Sequence, residues 1–121
     1  MAITPITIQT VEGPFAEIAA GEADVTLAAG DAVNGNSMAV TGKEVLLAHN
    51  SSGGALTMTI TSVIDEKNRT KHITDYSLAA GDYAVFLVGM TMSKGWKQTD
   101  GTILVDVAAA DILLAALKLT I

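Results

Sequence analysis

The amino-acid sequence predicts an all-β protein, an antiparallel β-sandwich of about seven to nine short strands with little helix. Runs rich in Val, Ile, Leu and Thr recur along the chain, and Gly, Asn and Asp separate them at short intervals. A chain of 121 residues is long enough for one domain with its own core. The pattern fits a jelly-roll-like or an Ig-like strand order equally well.

The first element is an apolar arm, "MAITPITIQT", which we assign to residues 1–12 ahead of a sandwich domain at 13–121. Ile3, Ile6 and Ile8 have no apolar partners nearby in sequence, and Pro5 keeps the segment extended. An extended apolar terminus usually pairs with a sheet edge, either its own or a neighbour's.

Four strands are predicted from runs of apolar residues. The segments "FAEI" and "ADVTL" are short candidates. The segments "KEVLLAH" and "YAVFLVG" are apolar on both faces, which predicts inner strands covered on each side.

Two further strands follow from alternation and propensity. In "ALTMTITSVI", mostly apolar residues alternate with threonines, so we expect one face to be buried and the other to be partly exposed to solvent. "TILVDV" is the next strand. In the C-terminal "VAAADILLAALKLTI", Ala and Leu favour helix while alternation favours strand. We expect a short helical turn at Ala108–Ala110 followed by a long strand.

Turn signals lie between the strands. Asn34-Gly35, Gly53-Gly54 and Asp100-Gly101 tolerate the positive φ angles that tight hairpins require. Lys97–Thr99 is predicted to turn at Asp100-Gly101 into a strand at Thr102–Val105.

The chain contains nearly the same seven letters twice, "TLAAGDA" at Thr26–Ala32 and "SLAAGDY" at Ser77–Tyr83. Ala before Gly suits a type II turn, in which Gly supplies the positive φ. The repeat carries no nucleophile and no phosphate-binding glycine pattern, so we interpret the copies as two equivalent corners.

Charge and composition narrow the function classes. The net charge is −6, and three of the seven basic residues crowd together as Lys67, Arg69 and Lys71. General nucleic-acid binding needs a dominant basic surface, so this charge pattern instead favours docking on protein partners or on copies of the chain. The sequence has no apolar run long enough to span a membrane. The segment "MAITPITIQT" has no Lys or Arg before an apolar run, so we do not expect it to be a secretory signal peptide.

Catalytic and metal-binding patterns are not evident. The absence of Cys excludes thiolate zinc sites, and His49 and His72 stand in no ligand spacing. "DAVNGNS" places its oxygen-bearing residues at the wrong offsets for a calcium loop, and no serine stands in G-x-S-x-G. We expect no enzymatic activity, no cofactor and no metal. Trp96 has two interpretations: it covers the core beside the predicted hairpin, or it lies at an interface with a partner, where Trp is enriched.

The run "GKEVLLAHNSSGGALTMTITSVIDEKNRTKHITDYSLAAGDYAVFLVGMTMSKGWKQTDG" resembles small all-β proteins encoded among tailed-bacteriophage head genes. That family shows "EVLLVxN", "VTITSVxD", "ITDYSLxAG" and "GWxQxDG", and the similarity covers Phe15–Val107. This chain differs from the family pattern at Lys71-His72, where the family has Gly-Asp, and its C-terminal stretch from Ala108 does not align with the family. The matched residues are Asn34, Gly35, Asn36, Asn50, Thr59, Thr61, Asp65, Arg69, Ile73, Tyr76, Gly81, Phe86, Gly95, Trp96, Gln98 and Gly101.

The resemblance implies a virion structural protein, most similar to a capsid decoration (cement) protein that binds the outer surface of the head and stabilises it. The implied partner is the major capsid protein, with no nucleic-acid or membrane partner, and lattice symmetry suggests a homotrimer. The candidate partner-binding residues are Ile3, Ile6, Ile8, Lys67, Arg69, Lys71 and Trp96. The alternatives are a carbohydrate-binding module of a tail or fibre, or a structural protein of the tail or head–tail joint.

Overall fold

The structure is a computed structural model that describes residues 3–11, 20–21, 23–63, 72–90 and 96–119. Ten strands lie in this part of the chain: β1 Thr4–Pro5, β2 Ile8–Thr10, β3 Ala28–Ala29, β4 Asn36–Ala39, β5 Lys43–Asn50, β6 Leu56–Thr61, β7 Ile73–Leu78, β8 Tyr83–Met90, β9 Thr102–Val107 and β10 Ile112–Lys118. The described residues contain no α-helix, so no helix among them could cross a membrane.

The strands form two sheets. Sheet A has the order β1-β4-β9-β6-β7, and sheet B has the order β2-β10-β5-β8, with β3 also paired to β10. The prediction of an all-β, two-sheet fold is therefore confirmed. The sheets are mixed rather than purely antiparallel, because β1 pairs with β4 and β2 pairs with β10 in parallel.

The hydrophobic core lies between the two sheets. Met38, Ile60 and Ile103 from sheet A and Leu46 and Ile112 from sheet B are fully buried in one cluster. Burying a side chain of this size contributes about 1.5–3 kcal/mol to the transfer free energy. Contacts between the sheets therefore dominate the stability of the fold.

Strand β6 shows how the sequence pattern sets the face. Met58 and Ile60 are buried in the core, whereas the threonines between them are half-buried. Because successive side chains of a strand point to opposite faces, this alternation places the threonines on the outer face of sheet A. The prediction for this segment is confirmed.

The turn at Asp100-Gly101 is where the sequence predicts it, but Lys97–Thr99 is not a strand. Gly101 has a φ of 85° and donates its N–H to the Gln98 carbonyl at 3.0 Å. The Gln98 N–H in turn donates to the Thr102 carbonyl at 2.7 Å. This is a three-residue loop that ends in a left-handed glycine, and β9 follows it directly.

The C-terminal stretch forms a turn and then a strand. Residues 108–111 bend, and β10 begins at Ile112. The strand prediction is therefore right, because pairing with β5 along seven residues outweighs the helix propensity of Ala and Leu. Of the short candidates, "ADVTL" is not a strand, and "FAEI" lies outside the described residues.

The two Leu-Ala-Ala-Gly-Asp segments are not equivalent corners, contrary to the prediction. In the second, the Asp82 N–H donates to the Ala79 carbonyl at 3.0 Å and Gly81 has a φ of 78°, as a type II turn requires. In the first, Ala28–Ala29 is strand β3, and Gly30 is buried without a positive φ.

Candidate docking surface

The described sheets have different chain segments at their two flanks. At one flank, the N-terminal arm places β1 on the edge of sheet A and β2 on the edge of sheet B. At the other flank, β7 ends sheet A and β8 ends sheet B, and the turn at 79–82 joins them. Among the described strands, β8 therefore lies at the end of sheet B, and it is eight residues long.

A row of exposed apolar side chains lies along β8. Tyr83, Val85 and Leu87 are 62%, 61% and 60% exposed, and we call them the β8 row. The strand Tyr83–Met90 contains no charged residue. Edge strands in natural proteins usually carry charges or prolines that prevent association, so an uncharged apolar edge indicates a contact surface.

The sequence predicts that β5 and β8 are both inner strands covered on each side. This is right for the position of β5, which lies between β10 and β8. It is wrong for β8, because the side chains of the β8 row face outward from the last strand of the sheet. Sequence analysis therefore missed this surface, although the apolar pattern on both faces was the signal for it.

Aromatic contacts hold the start of β8 in place. The Tyr83 ring stacks on His49 with centroids 3.9 Å apart and 18° between the planes. Three residues further on, Phe86 packs against the core and meets Tyr76 of β7 edge-to-face at 5.3 Å. Each ring thus has one aromatic neighbour on an adjacent strand, which contributes to holding β8 in place.

The hydrogen-bond pattern shows which backbone groups of β8 face the open edge. The Asn50 N–H donates to the Asp82 carbonyl at 3.0 Å, on one side of the His49–Tyr83 pair. That pair is therefore a non-hydrogen-bonded one, and the next pair joins Ala84 to β5. It follows that Tyr83 and Val85 direct their backbone N–H and C=O groups away from β5.

The N-terminal arm pairs with the edges of its own sheets. The Thr4 N–H donates to the Gly35 carbonyl at 3.0 Å, and the Ile6 N–H donates to the Ser37 carbonyl at 2.7 Å. Ile6 and Ile8 pack against the core, whereas Ile3 is 45% exposed. Of the three isoleucines predicted to bind a partner, Ile3 is thus the one that presents the largest free apolar surface.

An aspartate fastens the arm to the turn before β4. The Thr4 hydroxyl donates to the Asp31 carboxylate at 2.6 Å, and the N–H groups of Asn34 and Val33 donate to it at 2.9 and 3.0 Å. These bonds, first that from Thr4, lower the pKa of Asp31 from 3.8 to about 2. The "DAVNGNS" segment is therefore a carboxylate-capped turn.

A second carboxylate holds the turn that leads into β5. Glu44 is buried, and it accepts hydrogen bonds from Thr41, Gly42 and Lys43. Burial by itself raises the pKa of Glu44, but these bonds together outweigh it and leave the pKa below its usual value. Both acidic groups act locally, on the backbone of turns.

The other predicted contact residues are placed differently. Trp96 is half-buried and packs against the core, as one of its two predicted roles requires. Lys67, Arg69 and Lys71 lie outside the described residues. Of these residues the structure describes Trp96, which is not part of the β8 row.

Residues matched in the phage-protein resemblance hold turns and strand ends together. The buried Asn50 amide donates to the carbonyls of Leu78 and Gly54 at 2.8 Å each. The buried Asn36 amide donates to the Val105 carbonyl at 3.1 Å and accepts from the Asp31 N–H at 2.9 Å. These asparagines serve the fold, because a buried backbone group must find a partner.

The histidines have neighbours that are not metal ligands. The Ser62 N–H donates to the His72 Nδ1 at 2.9 Å, and His49 Nδ1 lies 3.3 Å from the Asp82 carbonyl. Among the described residues, no group of three or more His, Cys, Asp or Glu side chains could hold a metal ion.

The chain matches no family model, no curated protein and no solved structure. The phage-protein resemblance therefore rests on its quoted residues.

Proposed function

We propose that this chain is a virion structural protein of a tailed bacteriophage, a decoration protein that binds the outer surface of the head and braces it. The major capsid protein is its proposed partner. Such a protein acts by adhesion, so it needs a stable β framework and exposed patches that fit a repeating lattice.

The observation that carries this proposal is the structural use of the matched residues. Gly35 has a φ of 84°, and Asn36 and Asn50 are buried with their amides bonded to backbone. Gly81 supplies the positive φ of the turn that joins β7 to β8. Residues with such specific geometric duties recur together when two chains share a fold, which is what the resemblance implies.

Two segments of the chain are candidates for attachment to a shell. Ile3 is exposed at the start of the arm, on the flank opposite β8. The sequence Lys67–Lys71 carries positive charge on an otherwise acidic chain, and it would suit an acidic patch on a capsid subunit. We assign the capsid contact to these two segments.

The test is binding of the purified protein to heads that lack decoration. We expect saturable, stoichiometric binding that protects the heads against heat. Ile3→Glu should weaken this binding about tenfold or more, because it places a charge in an apolar contact. Thr74→Glu, which adds the same charge at an exposed position of β7, is the matched control and should bind like the wild type.

A point change at Ile3 is preferable to removal of the arm. Ile6 and Ile8 pack against the core, so deletion of residues 1–10 would lower stability as well as attachment. Absence of binding by the folded wild-type protein at low and at moderate salt would overturn the proposed function.

A further inference from the structure

We propose that Val33 forms, together with Ile3, one apolar patch that inserts into an apolar pocket on the major capsid protein. The inference rests on the proposed function, because it extends the capsid contact assigned there to Ile3. It adds a side chain from the turn at residues 31–35, which precedes β4 and which we call the clasp turn. The patch lies on the flank that carries the arm, opposite β8.

The first argument is the exposure of Val33. Its side chain is 79% exposed, the largest value among the large apolar side chains that the structure describes. An exposure this high leaves little contact with the rest of the chain, so Val33 contributes little to the stability of the core. The packing of the fold therefore gives no reason for an apolar side chain at this position.

The second argument is the local chemistry of the clasp turn. Asp, Asn and Gly favour turns because they bond the backbone or accept unusual torsions, and Asp31, Asn34 and Gly35 follow this rule. A β-branched apolar side chain brings neither advantage. Because neither the turn nor the core requires it, Val33 is placed to serve a contact outside the chain, as exposed loop residues often do.

Asp31 holds the patch in a fixed geometry. Its carboxylate accepts the Thr4 hydroxyl at 2.6 Å and the Val33 N–H at 3.0 Å, so one group binds both Val33 and the residue after Ile3. The Thr4 N–H also donates to the Gly35 carbonyl at 3.0 Å. Because these bonds form without a partner, docking costs less conformational entropy than it would for a loose arm. Ile3 and Val33 therefore act as one preformed anchor.

Charge around the patch indicates the chemistry of the pocket. Residues 1–42 contain five acidic residues and no Lys or Arg. Asp106 of β9 also lies beside the clasp turn, since a Cβ on Gly35 would be 2.9 Å from its Oδ1 atom. An apolar pocket with basic side chains at its rim complements such a surface. We therefore expect a pocket of this kind on the capsid subunit.

The test is binding of variants to heads that lack decoration. Val33→Lys should weaken binding about tenfold or more, because it places a positive charge in an apolar contact beside a basic rim. Val85→Lys is the matched control, since it makes the same change at a valine that is 61% exposed on the other flank. It should bind like the wild type. Thermal melting of the free variants checks that both fold as the wild type does.

A second pair of variants adds no charge. Val33→Thr keeps the shape of the side chain but replaces a methyl group by a hydroxyl. Because burial of a methyl group favours binding, this change should weaken attachment about threefold to fivefold. Val85→Thr is its control and should leave attachment unchanged.

A double-mutant cycle tests whether the two side chains form one patch. Ile3→Ala and Val33→Ala are measured separately and together. Side chains that share one pocket lose binding non-additively, so the double variant should lose at least about twofold less affinity than the product of the single losses. A loss equal to that product would show two independent contacts and would overturn the single patch.

The outcomes separate this inference from the proposed function. If the wild type binds heads and Val33→Lys binds as tightly, the inference is wrong and the proposed function stands. If the wild type does not bind, both are wrong. Equal weakening by Val85→Lys would also overturn the inference, because the effect would not be specific to the patch.

Sedimentation of the free proteins tests a second copy of the chain as the occupant. The wild type and Val33→Lys should have the same mass in solution. If Val33→Lys instead breaks an assembly that the wild type forms, a second copy covers the patch and the capsid assignment of Val33 is overturned.

Discussion

The segment Leu-Ala-Ala-Gly-Asp occurs at residues 27–31 and again at residues 78–82, and the two copies have different structures. The second copy turns the chain from sheet A to sheet B, with Gly81 at a φ of 78° and open space around it. The first copy forms β3 and runs along β10, and a Cβ on Gly30 would lie 2.7 Å from the Val107 Cγ2 atom.

The comparison shows that one residue type is required for two different reasons. Gly81 is required for its backbone torsion, which the local sequence already favours. Gly30 is required for its lack of a side chain, because Val107 and the Ile112 carbonyl lie against it. These neighbours come from a distant part of the chain, so no local pattern in the sequence indicates them.

The largest effect should come from a feature that both copies share. Asn36 bonds to both backbone groups of Asp31, and Asn50 bonds to the Leu78 carbonyl at the start of the second copy. Asn36→Ala removes the bond to the Val105 carbonyl and Asn50→Ala removes the bond to the Leu78 carbonyl, both of them buried contacts, and each change should lower the free energy of unfolding by about 2–3 kcal/mol. Urea denaturation measures this loss, and a loss confined to one of the two variants would show that the copies are not anchored alike.

The next effect separates the copies by available space. Gly30→Ala should lower the free energy of unfolding by about 2 kcal/mol, because Val107 and the Ile112 carbonyl must shift to admit the methyl group. Gly53→Ala is the control: its Cβ meets nothing within 4 Å and its φ is not positive, so it should change stability by less than about 0.5 kcal/mol. Equal stability of the two variants would contradict the packing assigned to Gly30.

The third effect separates the copies by torsion. Gly81→Ala should cost about 1 kcal/mol, because a side chain disfavours the left-handed region. Asn tolerates that region better than Ala, so Gly81→Asn should be the milder change at this site. At Gly30 the order should reverse, since Asn is larger than Ala. Melting temperatures of the four variants test this reversal, and the same order at both sites would refute it.

The smallest effect concerns the aspartates that end the copies. Asp31 accepts hydrogen bonds from Thr4, Val33 and Asn34, and its pKa is lowered to about 2. A lowered pKa stabilises the fold above the ordinary value of 3.8, and this contribution is lost as the pH falls through about 2.

Asp31→Asn should therefore be less stable than the wild type at pH 6, and the difference should shrink toward zero near pH 2. Denaturation of both proteins at several pH values measures this difference. A difference that is independent of pH would exclude the bond between Thr4 and the ionised carboxylate as its source.

Sequence analysis predicted the parts of the fold that local chemistry decides. The alternation in β6, the glycine turns at Gly81 and Gly101, and the strand at the C-terminus all follow from periodicity and torsion. The threonine-bearing face and the two-sheet core follow from the same period-2 pattern.

The parts that were missed depend on distant neighbours. The sequence predicts that the arm pairs with a sheet edge, but that the partners are β4 and β10 of the same chain, and that β3 pairs with β10, requires knowing which strands lie at the edges. The same information distinguishes β5, which is covered by neighbours within its sheet, from β8, which ends the sheet. Apolar residues on both faces indicate a second covering surface, but the pattern does not say whether that surface belongs to the same chain.

The most direct test of the strand order in sheet B is amide hydrogen exchange along β8. The Val85 N–H points away from β5, whereas the Ala84 N–H points toward β5 and serves as an internal reference. We predict that the Val85 amide exchanges much faster than the Ala84 amide, because β8 is the last of the described strands of sheet B. Equal protection of the two amides would contradict this position of β8.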